Sequence, residues 1–259
     1  MLLAIDAGNT DTVFAIFEGE KLCATWRLST HPLKTADEFA ALLMPLADAQ
    51  AIRLKDIRHA VIATVVPQHL FALKTFCRTY CGQEPDVVGE NGFLPKIDIL
   101  LERPGEVGAD RLINAVSACA RFVPPLIVID FGTATTFDVI NKDGAYIGGL
   151  IAPGVNLSLK TLHMAAAKLP NVAVKRPEKV VGTNTVSAMQ SGIYWGYRSL
   201  IEGIVARIAE EQGTAMTTVA TGGLASLFAE GCDAIQHCVP DLTISGLRLV
   251  HEQLRGTNG

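Results

Sequence analysis

Three short carboxylate-bearing stretches carry the chemistry this chain could do. Asp6 ends the apolar run Leu2–Ile5 and is followed by Ala7, Gly8, Asn9, Thr10, Asp11, Thr12 and Val13. Asp130 ends a second apolar run, Leu126–Ile129, and leads into Phe131, Gly132, Thr133, Ala134, Thr135 and Thr136. Asp110 stands in the string Gly108-Ala109-Asp110-Arg111. A carboxylate at the end of a buried strand is costly without partners. It either caps its turn by accepting backbone N–H groups or faces a cleft and holds a cation. The residues that follow Asp6 and Asp130 favour the cation. Glycine lets backbone approach a ligand closely. Short Asn, Asp and Thr side chains together with backbone N–H groups cradle phosphate oxygens. A neighbouring aspartate holds Mg²⁺ directly or through its waters. Two such turns would form opposing jaws around a polyphosphate.

Asp110 has two readings. At the start of a helix it is a cap, worth about 1 kcal/mol. Beside a hydroxyl nucleophile it is a base for phosphoryl transfer, and Arg111 is the residue type that pairs bidentately with a carboxylate ligand. Other nucleotide motifs are missing. The string from Gly154 has Leu159 where a P-loop needs its second glycine. No strand runs into GxGxxG, which argues against a dinucleotide site.

The elements that must position these residues follow from periodicity and punctuation. Leu2–Asp6, Thr12–Glu18 and Lys21–Ser29 read as three strands, the last two joined by a tight turn at Gly19-Glu20. Thr35 and Glu38 form a capping box before an apolar helix. Ile57–Val65 reads as a strand, and Pro67 opens a helix with Leu70, Leu73, Phe76 and Cys77 on one face. Gly108–Phe122 is helical, with Leu112, Ile113, Val116 and Ala120 as its core positions. Strands then recur over 126–130, 136–140 and 145–152. Helices are predicted over 156–169 and from Thr185 to about Gln212. A strand covers 217–223 and a last helix Leu242–Leu254.

The two strand sets are related. A shift of 124 residues carries Ile5, Asp6, Gly8, Thr12 and Ile16 onto Ile129, Asp130, Gly132, Thr136 and Ile140. These identities, with the matching strand–turn–strand order, argue for two halves of one plan, divided at 1–113 and 114–259.

Composition bounds the rest. The chain has 259 residues, 49% hydrophobic and 19% charged, enough for a sizeable core in two domains. The formal net charge is −4 and no Lys/Arg block occurs, so neither nucleic acid nor a membrane surface is an expected partner. No run of 18 apolar residues exists, and the N-terminus lacks a basic region, so neither a spanning helix nor a signal peptide is predicted. Six scattered cysteines without a CxxC pair, and six histidines without an HExxH string, fit a reduced, cytoplasmic protein.

Six segments resemble the type III pantothenate kinases. They are DAGNT at Asp6, GADR at Gly108, DFGTATTFDV at Asp130, GGLIAPG at Gly148, NTVSAMQSGIYWGY at Asn184 and ATGGLA at Ala220. They fall in the family's order over essentially the whole chain. The resemblance implies an α/β fold of two duplicated ribonuclease-H-like domains with an interdomain nucleotide cleft, in the acetate kinase/sugar kinase/Hsp70/actin superfamily. It implies phosphorylation of pantothenate by ATP, with Mg²⁺, a monovalent cation such as K⁺ or NH₄⁺, and a homodimer. Carried onto this sequence, Asp6 to Val13 would bind ATP phosphates, with Asp6 on the Mg²⁺ side. Asp130 would ligate the monovalent cation, Thr133 would contact ATP and Gly222 would approach the adenosine. Asp110 would be the general base; Gly108, Ala109, Arg111 and Thr185 would help hold pantothenate. Two positions depart from the family pattern: Leu101, where some members carry an aromatic residue, and Thr183, where many carry lysine. The rival readings are a nucleotide-dependent switch of the same superfamily, a transcriptional accessory factor without kinase activity, and a different small-molecule kinase on the same fold.

Overall fold

Leu3, Ile5 and Ala7 alternate with Leu2, Ala4 and Asp6, so the first strand, β1 (Leu2–Ala7), buries apolar side chains on both of its faces. The computed structural model describes residues 1–165 and 169–255. β2 (Asp11–Glu18) pairs antiparallel with β1, and β3 (Lys21–Ser29) antiparallel with β2. β4 (His59–Thr64) and the two-residue β5 (Asp86–Val87) add on parallel, giving the order β3-β2-β1-β4-β5. Helix α1 (Ala36–Asp48) begins with the predicted capping box: Thr35 accepts from the Glu38 N–H, and the Glu38 carboxylate accepts from the Thr35 N–H. The strand predicted from Ile57 starts at His59, after a 3₁₀ turn at Leu54–Asp56.

The first sheet has a core on each side. Leu3, Ile5, Phe14 and Ile16 pack against Phe39 and Leu43 of α1 and against Leu73 and Phe76 of α2 (Pro67–Phe76). Leu2, Ala4, Ala15 and Phe17 pack against Ile113 and Val116 of α3 (Ala109–Arg121) and against Ile244, Leu247 and Val250 of a closing helix. Within α3, Leu112, Ile113 and Val116 are buried as predicted, but Ala120 is exposed and Ala118 takes the core position.

His69 of α2 is fully buried, its ring edge-on to Phe39 at 5.8 Å, and neither ring nitrogen meets a hydrogen-bond partner among the described residues. Burial first, then the charges of Lys34 and His31, hold its pKa below the usual histidine value. The folded protein therefore keeps His69 neutral where the unfolded chain binds a proton, and stability drops as pH falls below about 6.5. In urea titrations, His69→Leu should lose less stability than the wild type between about pH 7 and about pH 5. Equal losses would show that His69 carries none of this dependence.

The second sheet repeats the first. β6 (Leu126–Phe131), β7 (Ala134–Ile140) and β8 (Tyr146–Pro153) pair antiparallel in sequence, and β9 (Thr217–Gly222) and β10 (His237–Cys238) add on parallel to β6, giving β10-β9-β6-β7-β8. Its apolar face, with Ile127, Ile129, Phe131, Phe137 and Val139, packs on Tyr194, Tyr197 and Ile201 of α5 (Thr185–Gln212) and on Phe228 of α6 (Ala225–Ala229). Helix α4 (Val155–Ala165) precedes α5; the predicted continuation over 166–168 lies outside the described residues.

The register corrects one detail of the repeat. Gly8 N–H donates to the Asp11 carbonyl, three residues on, whereas Gly132 N–H donates to the Ala134 carbonyl, two residues on. The second turn is therefore one residue shorter. Asp6 faces Val13, but Asp130 faces Thr136. Past the turn Thr12 corresponds to Thr135, not to Thr136, and both are fully buried.

The chain forms two compact units. The first takes Met1–Ile97, Arg103–Ser117 and the closing helix α7 (Leu242–Arg255), and the second takes Asp98–Glu102 and Ala118–Asp241. This differs from a division at 113/114, because the apolar stripe of α7 seals the Leu2/Ala4 face of the first sheet. Among the described residues no helix is long and apolar enough to cross a membrane.

Candidate active site

Asp6, one residue before the end of β1, is half-buried on the sheet face that α3 covers. The turn after it is braced from two directions. Thr30 Oγ1 donates to the Gly8 carbonyl at 2.6 Å, and Thr30 N–H to the Thr10 carbonyl at 2.8 Å. From the other side, Val65 N–H donates to the Ala7 carbonyl at 3.1 Å, with Thr64 Oγ1 on the same oxygen at 3.3 Å. Thr12 is buried with its hydroxyl 3.1 Å from that of Thr30, and the Asp11 carboxylate accepts from Arg27 at 3.0 Å. Asn9 and Thr10 are the members of the stretch that stand exposed. Thr30 braces this turn from outside the segment, and no local pattern in the sequence marks it.

Asp110 is the second residue of α3, not the residue that caps it. Leu112 N–H bonds back to the Gly108 carbonyl at 3.3 Å, and Asp110 Oδ1 accepts the N–H of Arg111 at 2.9 Å. A carboxylate in a first helical turn also meets the positive end of the helix dipole. Gly108, Ala109, Asp110 and Arg111 are all half-buried. Because Ala109, Ile113 and Val116 pack on the Leu2/Ala4 face, Asp6 and the start of α3 serve the same side of the first sheet.

In the second unit Asp130, one residue before the end of β6, is half-buried, opposite Thr136 and beside Thr221 of β9. Gly132 and Thr133 are exposed at the turn, while Thr135 points into the helix-covered core. Gly222 closes over the end of β6. Its φ is 91°, and a Cβ there would lie 2.5 Å from Asp130 Oδ1 and 2.7 Å from the Phe131 backbone N and O. Gly154, between β8 and α4, presses on the Thr133 carbonyl so closely that a Cβ would collide with it. Asp130 has threonines as its neighbours on both adjacent strands, Thr136 and Thr221, and a Gly222 Cβ would meet both its carboxylate and the Phe131 carbonyl; carboxylate, hydroxyl and carbonyl oxygens are the hard donors that alkali cations take, and the Asp6 carboxylate is the donor type that suits Mg²⁺.

Thr185 opens α5 behind its cap Asn184, whose side chain accepts from the Ser187 N–H at 2.9 Å. It lines a cavity of about 600 Å³ with Leu162, Leu169, Thr183, Met189 and Ile193. That volume lies in the range of small-molecule sites.

Two sheets of one strand order, each with an aspartate one residue before the end of its central strand and a Gly-containing turn beyond it, define a duplicated, actin-like α/β fold. Solved structures agree on the fold. The activator of 2-hydroxyisocaproyl-CoA dehydratase from Clostridium difficile, with bound ADPNP, aligns over 99% of this chain and 97% of its own, with a TM-score of 0.55 at 13% identity. The family model of type III pantothenate kinase matches residues 2–207. Type III pantothenate kinases from Paramagnetospirillum magneticum and Rhodospirillum rubrum are 56% and 54% identical over 253 residues, 98% of this chain and 97% and 98% of theirs. The chain belongs to the type III pantothenate kinase family.

Proposed function

We propose that this protein transfers the γ-phosphoryl group of ATP to the hydroxyl of pantothenate, giving ADP and 4′-phosphopantothenate, the first step of coenzyme A biosynthesis. The substrate follows from family membership. The observation that carries phosphoryl transfer is the pairing of Asp6 and the Asp110-bearing helix start on one side of the first sheet. In this reading the 6–13 segment binds the ATP phosphates, with Asn9, Thr10 and backbone N–H groups outermost. Asp6 would hold Mg²⁺ and Asp130 a K⁺ or NH₄⁺ ion, and when bound these cations would supply charge neutralisation. Thr133 contacts ATP and Gly222 approaches the adenosine. Gly108, Ala109, Arg111 and Thr185 hold pantothenate; of these four, Thr185 lines the cavity described above. Asp110 orients the acceptor hydroxyl and takes its proton as the P–O bond forms.

A cytoplasmic homodimer belongs to the same reading. Ile151 of β8, Leu157 and Met164 of α4, and Val180, Val181 and Val186 are exposed apolar side chains of the second unit, a composition that suits a self-association surface.

The deciding measurement is ADP release from Mg-ATP, with and without pantothenate and K⁺. Release that requires both is the expected result. Release independent of pantothenate would favour a nucleotide switch, and no release under any condition would favour a regulator.

A further inference from the structure

On the sheet face that carries Asp130, β7 departs from its counterpart in the first unit. Where β2 has Val13 opposite Asp6 and Ala15 opposite Ala4, β7 has Thr136 opposite Asp130 and Asp138 opposite Val128. Ala15 is an ordinary core residue beside Leu2, Ala4 and Phe17. Asp138, in the equivalent place, is 0% exposed. A carboxylate in a methyl's position is unfavourable unless donors surround it. Two hydroxyls do so. Tyr146, itself fully buried, donates to Asp138 Oδ1 at 2.7 Å, and Thr136 donates to Asp138 Oδ2 at 3.4 Å.

The direction of the Thr136 hydrogen bond has a chemical consequence. A hydroxyl has one proton and two lone pairs. With the proton given to Asp138, the lone pairs of Thr136 are left for a positive group beside Asp130, its cross-strand neighbour. We propose that Asp138 is a positioning residue for the monovalent-cation site at Asp130: it turns the Thr136 oxygen toward the cation, and Tyr146 braces it. The proposal rests on the reading of Asp130 as the cation holder.

The test needs neither substrate nor turnover. The melting temperature of the full chain is followed as KCl replaces choline chloride at constant ionic strength. A cation bound to the folded state raises it, and the K⁺ concentration for half the rise reports affinity. Thr136→Val keeps the shape and removes the oxygen. It should raise that concentration by about tenfold, the factor carried by one charge-assisted contact. Asp138→Asn, which presents an N–H to Thr136 and reverses its hydroxyl, should do the same. The double variant should be no weaker for K⁺ than Thr136→Val alone, because Asp138 acts through that oxygen. Tyr146→Phe should shift K⁺ affinity in the same direction by less. A K⁺ midpoint unmoved in Thr136→Val overturns the inference, even if Asp138→Asn fails to fold. So do melting losses in choline alone, which mark Asp138 as only a brace of the sheet. Asp130→Asn separates the two layers. A K⁺ response that persists in it, or that is missing from the wild type, removes both the Asp130 reading and this inference. A response lost in Asp130→Asn but unchanged in Thr136→Val removes the inference alone.

Discussion

Asp110→Asn should bind ATP as the wild type does and lose phosphoryl transfer by about two to four orders of magnitude, the range general-base removal spans. The substitution is chosen for what it preserves. Asp110 sits in the first turn of α3, and the bond it visibly makes there is from Oδ1 to the Arg111 N–H. An asparagine oxygen can still accept that bond, and Asn and Asp have nearly equal helix propensities. What goes is the negative charge, whose interaction with the helix dipole is worth about 0.3–1 kcal/mol, and the capacity to take a proton. The folding free energy in urea should therefore move by no more than about 1 kcal/mol, while kcat falls steeply. Calorimetric titration of Mg-ATP and a coupled ADP assay measure the two halves of the claim. Turnover within a few-fold of wild type, with unchanged stability, would reduce Asp110 to a structural residue of the helix terminus.

The strands that carry Asp6 and Asp130 were legible because short apolar runs and turn chemistry are local signals. Leu2–Ile5 and Leu126–Ile129 are apolar on both faces, and each ends in a carboxylate just before a glycine. The capping box of α1 was legible for the same reason. Other features were not. β5 and β10 have two residues each, too few for any period. Thr30 braces the first turn from 22 residues away in sequence, and nothing near it predicts the contact. A fixed shift of 124 paired Thr12 with Thr136, because identity counting does not see a turn one residue shorter. That slip matters. It hid the fact that the residue facing Asp130 corresponds to Val13, so that a hydroxyl stands where the first half has an isopropyl group. The boundary at 113/114 missed α7 because the repeat specifies order along the chain, whereas the seat of a returning helix depends on which sheet face still needs apolar cover. The carboxylate at Asp138 reads as a β-strand position like any other until its Tyr146 and Thr136 donors are seen.

Gly222→Ala should cost the second unit stability and its K⁺ response together. The residue holds φ at 91°, a conformation that costs an L-residue roughly 1–2 kcal/mol. Its Cβ would lie 2.5 Å from Asp130 Oδ1 and 2.7 Å from the Phe131 N and O atoms. The carboxylate could swing aside, but the Phe131 backbone is held. Phe131 pairs with Thr135 of β7 and lies beside Gly222 itself, and its carbonyl accepts from the Gly223 N–H at 3.2 Å. Forced overpacking of this kind typically adds about 1–3 kcal/mol, so a total loss of about 2–5 kcal/mol is expected in urea. Either adjustment also displaces Asp130, so KCl should no longer raise the melting temperature. Asp130→Ala provides the contrast. It removes the charge without moving β6 against β9, so it should lose the K⁺ response without the overpacking loss of Gly222→Ala in choline chloride. If Gly222→Ala retains both stability and K⁺ response, the end of β9 has room that the backbone contacts deny, and the close approach of Gly222 to Asp130 does not shape the site. If it loses stability but keeps the K⁺ response, the cation is held by atoms that the displaced carboxylate does not govern, and Asp130 is not its ligand.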